Sequence, residues 1–148
     1  MRLLIFTTLF LFSGIGLKAQ QAQQQGEPAA DKKGVASYYH DKFEGRPTAT
    51  GEIFDNDKFT AASNRLKLGT YVKVTNLTNG RVIYVRINDR MAPNNPRLID
   101  LASIAAEKLD FKEQGLANVK LEIVPSSEGK TKILAQREDV DLTNKNEL

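Results

Sequence analysis

The sequence has no cysteine and no tryptophan, one histidine, and five prolines among its 148 residues. Without cysteine there are no disulfides and no thiolate metal ligands. No lipid-bearing cysteine can follow an export signal either. The lone histidine, His40, has no second imidazole with which to build a metal site and reads as a surface residue. No Gly-rich phosphate loop, nucleophilic triad or metal-ligand spacing is present, so no metal and no cofactor is expected. An excess of one charge is also missing. The formal net charge is +3, but Arg2 and Lys18 contribute to it from the first 19 residues, which hold no acid. The remainder has 19 basic against 18 acidic residues. So neutral a chain gives no electrostatic reason to expect nucleic acid as a partner.

Long hydrophobic runs are scarce too. The one candidate lies in residues 1–19, MRLLIFTTLFLFSGIGLKA. A basic start, a short apolar run and small residues form the layout of a secretory signal peptide. The run is short for a membrane span. Cleavage is expected after Ala19. The mature protein is then exported to the periplasm or cell envelope, is not lipid-anchored, keeps no stable membrane anchor and is a monomer. Residues 20–33, rich in glutamine and alanine, read as a flexible linker. Residues 125–148 read as a polar tail, with only a short apolar stretch at 133–135. Between them, residues 34–124 are long enough for one modest core.

The period in that block is mainly two. YVKVTN at 71–76 alternates, and RVIYVRIN at 81–88 continues apolar to Ile87. The intervening LTNG ends in Asn-Gly, a strong hairpin signal. VKLEIV at 119–124 reads as a closing strand, RLIDL at 97–101 as a short one, and 34–39 and 59–62 as weaker candidates. One stretch, 103–109, instead carries a helical pattern, with Asp100 or Ser103 available to cap its start. A strand-dominated domain of about six strands and one helix follows, and closure into a small barrel would remove its exposed edges.

Several motifs appear in order: GVASYY from Gly34, GRPTATGE from Gly45, FTAA from Phe59, LGTYVKVTN from Leu68, VRINDR from Val85 and RLIDL from Arg97. Together they resemble the rare lipoprotein A (RlpA) family, septal lytic transglycosylases. The resemblance implies a mainly β fold, a six-stranded double-psi β-barrel with one short helix. It also implies cleavage of the β-1,4 bond between N-acetylmuramic acid and N-acetylglucosamine in peptidoglycan, leaving a 1,6-anhydro end. The implied partner is the peptidoglycan glycan strand. The alternative is an expansin-like module on the same barrel that binds or loosens the wall without cutting it. The sequence departs from the family at three places. Ser63 stands where many members carry histidine, Met91 replaces a glycine after Asn-Asp-Arg, and 125–148 is too short for the SPOR domain many members carry.

On this resemblance Asp89 is the expected acid and base. Glu52 is the expected catalytic assistant, raising a neighbouring carboxyl through its like charge or orienting the sugar. Asp55, Tyr38, Tyr39, Arg46, Arg90 and Ser63 are the expected substrate-binding residues. Strict alternation places Arg86 and Asp89 on opposite faces of their strand. Tyr38 and Tyr39 face opposite ways, so one packs in the core and the other is free to stack on a sugar. Asp100 reads as structural, bonded to backbone at the helix start.

Overall fold

The computed structural model describes residues 31–147; the expected signal peptide and most of the expected linker lie outside them. The expected strands form where the period-two pattern places them. They are β1 (Lys32–Tyr38), β2 (Thr60–Ala62), β3 (Tyr71–Asn76), β4 (Val82–Asp89), β5 (Ile99–Leu101) and β6 (Ala117–Val124), with helix α1 (Ser103–Lys108) between the last two. They close into a barrel in the order β1-β5-β2-β4-β3-β6. Two pairs, β1 with β5 and β2 with β4, are parallel; the other four pairings are antiparallel.

Alternation explains the interior. Val72 and Val74 of β3, and Ile83, Val85 and Ile87 of β4, point inward and are fully or almost fully buried. They meet Leu101, Leu109, Phe111 and Val119 in one cluster. The β3–β4 turn forms as expected, with Asn76 N–H on the Arg81 carbonyl and Gly80 at φ +74°. That positive φ is what the Asn-Gly pair supplies.

Two expectations are corrected. Neither Asp100 nor Ser103 caps α1. Asn56, from a distant loop, accepts the Ser103 N–H on its side chain at 2.8 Å and the Ile104 N–H on its carbonyl at 3.1 Å. Asp100 instead forms a two-pronged pair with Arg97, at 2.7 and 2.9 Å. The second correction concerns the polar tail. Residues Ser126–Asn146 form a 21-residue helix, α2, which lies on β3 and β4. Ile133 and Val140 pack on the core cluster, and Gly129 is buried against Tyr71. Gln136 closes an open strand edge. β2 pairs with β4 only from Arg86 onward, leaving the Tyr84 backbone free on that side. The Gln136 side-chain amide accepts the Tyr84 N–H at 2.7 Å and donates to the Tyr84 carbonyl at 2.9 Å. Buried backbone groups need such partners. Among the described residues no helix is long and apolar enough to cross a membrane.

Candidate active site

The end of β4 is irregular. Its pairing with β2 runs Thr60↔Arg86 and Ala61↔Ile87, then jumps to Ala62↔Asp89. Asn88 is therefore the extra residue of a β-bulge. The bulge resets the side-chain parity, so Asp89 faces the same side as Arg86 rather than the opposite one. The loop at 48–52 lies against both. Ala49 N–H reaches Asp89 at 2.9 Å, and Glu52 reaches Arg86 at 2.5 Å.

Both Asp89 oxygens are held. Oδ1 accepts the backbone N–H groups of Ala49 and Arg90, at 2.9 and 2.8 Å, and Oδ2 accepts the Tyr39 hydroxyl at 2.9 Å. Tyr39 comes from the residue after β1, and its ring packs against Phe54 at 4.6 Å and Phe43 at 5.6 Å between centroids. Burial, and then the bond to Asp89, push the Tyr39 phenol above its usual range. It therefore stays a hydrogen-bond donor at any ordinary pH. Asp89, Tyr39, Phe43, Phe54, Arg90 and Met91 line an open groove of about 530 Å³. It offers an oriented carboxylate, an aromatic wall and a cationic rim, the materials for proton transfer to or from a bound ligand.

A family model described as lytic transglycolase, a double-psi β-barrel domain, matches residues 31–121. The chain belongs to this family. RlpA proteins are its curated relatives. The endolytic peptidoglycan transglycosylase RlpA of Haemophilus influenzae is 46% identical over 91 residues, 62% of this chain and 32% of that protein. RlpA of Neisseria meningitidis serogroup A is 44% identical over 108 residues, 72% of this chain and 44% of its own. The chain thus spans between about a third and a half of such relatives. Among solved structures, a Streptomyces papain inhibitor superposes with a TM-score of 0.53 at 24% identity, covering 66% of this chain and 97% of that one. An expansin from Clavibacter michiganensis gives 0.53 at 20% identity, covering 65% and 51%. At such identities these two show the fold alone.

Against this lytic transglycolase barrel, the expected site residues divide. Tyr38, Tyr39, Arg46, Asp89 and Arg90 all line the groove. Tyr38 packs edge-on against Phe111 and donates its hydroxyl to the Lys112 carbonyl at 3.0 Å. Tyr39 is the tyrosine at the carboxylate. Arg46 lies over the Phe43 ring at 5.3 Å, its charge open to the groove. Arg90 uses its guanidinium on the carbonyls of Ser63 and Leu66, the latter at 2.6 Å, and so fixes the β4 exit rather than presenting free donors.

Three of the expected residues, Glu52, Asp55 and Ser63, do not line this groove. Glu52 lies outside the groove lining and is bound by Arg86, Asn88 and Thr50. The Arg86 bond above all lowers its carboxyl to about 2. A carboxylate neutralised by its own partner is a weak source of like-charge repulsion on Asp89, and it holds no proton near neutrality. Asp55 pairs with Lys58 at 3.5 Å and accepts the Asp57 N–H at 2.9 Å, a turn-capping role away from Asp89. Ser63 is fully buried; its hydroxyl donates to the Leu98 carbonyl at 2.9 Å and so is spent inside the fold. Conversely, Phe43, Phe54, His40 and the Arg97–Asp100 pair line the groove without having been singled out for it. They arrive from loops, where no periodicity marks them. Among the described residues no three His, Asp or Glu side chains converge as metal ligands.

Proposed function

We propose that the protein cleaves peptidoglycan glycan strands as a lytic transglycosylase, breaking the β-1,4 bond between N-acetylmuramic acid and N-acetylglucosamine. The observation that carries this is Asp89, a half-buried carboxylate gripped at both oxygens and set in an open groove lined by aromatic and cationic side chains. The family and its RlpA relatives support the same chemistry. In this reading Asp89 enters protonated and gives its proton to the departing sugar oxygen. As carboxylate, it then takes the proton of the muramic acid 6-hydroxyl while that oxygen closes on the anomeric carbon. Asp89 ends protonated, as it began, and no water is consumed. Holding a single group through both steps demands a fixed orientation, which Tyr39 and the two backbone N–H groups supply.

Tyr39, Phe43 and Phe54 form the wall for a sugar ring, and Arg46 is the rim cation for a lactyl or peptide carboxylate. Glu52 holds Arg86 and the 48–52 loop, and through Ala49 that loop reaches Asp89. Its part is positioning, not proton transfer. Such a substrate places the site of action in the cell envelope, reached through export by residues 1–19. A second reading, glycan binding without cleavage, is favoured by the burial of Ser63 where the resemblance expects histidine.

The test is incubation of the purified protein and Asp89→Asn with whole and peptide-stripped peptidoglycan, followed by mass spectrometry. Fragments ending in 1,6-anhydro-N-acetylmuramic acid are expected from the parent and not from Asp89→Asn. A folded parent that sediments with the glycan and releases no such fragments would leave the binding reading in its place.

A further inference from the structure

Beside the Asp89 groove lies a second concavity, of about 320 Å³. The two share Tyr38, Tyr39 and His40, so this stretch of chain is a ridge between them. The ridge is pinned. Tyr39 donates its N–H to the Leu101 carbonyl at 2.8 Å. The Tyr38 hydroxyl, bonded to the Lys112 carbonyl, ties the ridge to the loop beyond α1. That loop is closed by the Gly115 N–H on the Phe111 carbonyl at 3.0 Å. Elsewhere in the lining one side chain holds two residues. Asn56 donates to Asp41 Oδ1 at 2.8 Å and accepts the Ser103 N–H at 2.8 Å. The second concavity is therefore preorganised, which lowers the cost of binding in it.

Its lining points to a class of ligand. Asp41 and Lys112 are opposite in sign, so the concavity has no net charge with which to select a polyanion or a polycation. Among the described residues no acid lies within ion-pair distance of Lys112, which leaves its ammonium open to a ligand. Ser37, Ser103 and His40 add further hydrogen-bonding groups around the Tyr38 ring, which packs edge-on against Phe111. An aromatic surface ringed by uncharged polar groups and one balanced pair of charges suits a neutral sugar ring, with its apolar C–H face and hydroxyl edge. We propose that the second concavity is a distal subsite, holding a neutral sugar unit of the same glycan strand that Asp89 cuts, where the strand passes over the Tyr38–His40 ridge. That the ligand is this strand rests on the function proposed above. A subsite remote from the reacting bond supplies binding energy only to strands long enough to reach it. The protein should therefore favour long glycan over short fragments.

The test measures binding of peptide-free glycan oligomers, from disaccharide to octasaccharide, by titration calorimetry. The full chain carries Asp89→Asn so that no turnover intervenes. It is compared with the same chain bearing Ser37→Leu, which fills the concavity, or Lys112→Ala, which removes the ammonium and keeps the carbonyl that Tyr38 uses. Circular dichroism confirms that each is folded, and Lys112, being exposed, carries the test alone if Ser37→Leu is not. Affinity should rise with length until both concavities are filled. The variants should match their parent on the disaccharide, which seats in the larger groove, and fall short by about tenfold on the octasaccharide, the loss of a hydrogen bond or two. The proposal is overturned if the curves coincide at every length, or if the variants lose the same factor on disaccharide and octasaccharide. Cleavage is then followed with Asp89 restored. A chain that shows the length-dependent gap but releases no anhydro fragments loses the catalytic reading alone. A chain that cuts, with variants and parent alike at every length, loses this proposal alone.

Discussion

Gly129→Ala asks whether α2 is seated on the barrel or merely follows it, because the two cases give opposite signs. In a helix free of contacts, replacing glycine by alanine stabilises by about 1 kcal/mol through reduced backbone entropy. On the docked helix the new methyl carbon would stand 2.4 Å from Cβ of Tyr71 and 2.5 Å from Cγ and Cδ1. Carbon atoms rest at about 3.5–4.0 Å, so the shortfall exceeds about 1 Å. The nearest Tyr71 atom is Cβ, which no rotamer change can remove. Overpacking of this kind costs about 1–3 kcal/mol, and so large an overlap belongs at the upper end. The net expectation is a loss of about 2 kcal/mol, limited by what docking the helix contributes. The midpoint of thermal unfolding should drop by roughly 6–12 °C. Amide exchange should quicken across Ser126–Asn146 while β3 stays protected. A rise in the midpoint with unchanged exchange would refute the seating of α2 on Tyr71.

Two further changes probe the first groove. Tyr39→Phe keeps the packing on Phe43 and Phe54 and removes one bond to Asp89. Bonds to charged groups contribute about 1.5–3 kcal/mol, part of which water in an open groove will replace. The kcat on glycan should therefore fall about tenfold with KM little changed, and an unchanged kcat in single-turnover assays would remove Tyr39 from the machinery. Glu52→Gln breaks the pair with Arg86. The Glu52 carboxyl is lowered from 4.5 to about 2 in the folded state, so its stabilisation is complete above about pH 4.5 and lost as pH falls through 2. The Glu52 side chain is 43% exposed, and screening limits the pair to about 1 kcal/mol. Urea midpoints of parent and variant should differ at pH 7 and converge near pH 2; a constant gap would mean another contact carries the effect.

What could be read before the fold was known follows from how far each residue's role depends on something distant. β3 and β4 carry their own pattern, since inward positions such as Val72, Val74, Ile83 and Val85 alternate with outward ones. Their hairpin was therefore legible from period and turn alone. The strand end was legible too, β4 closing at Asp89, one residue past where the period placed it. The parity of Asp89 relative to Arg86 was not, because it is set by β2, a three-residue strand whose register skips Asn88. Alternation has no means of announcing a bulge that the partner strand imposes. The same reasoning covers Glu52: the resemblance suggested a place beside Asp89, but Arg86 turns to the same side through that bulge and pairs with it. Helix α2 escaped for a different reason. Its inward stripe of Gly129, Ile133, Gln136 and Val140 holds only two apolar residues, and its other contacts are a glycine that lets Tyr71 approach and a glutamine that completes a strand edge. A hydrophobic period registers neither. The two features thus lie on one edge of β4 but at different points along it: the bulge where β2 pairs from Arg86 to Asp89, and helix α2 over the stretch before Arg86 that β2 leaves uncovered.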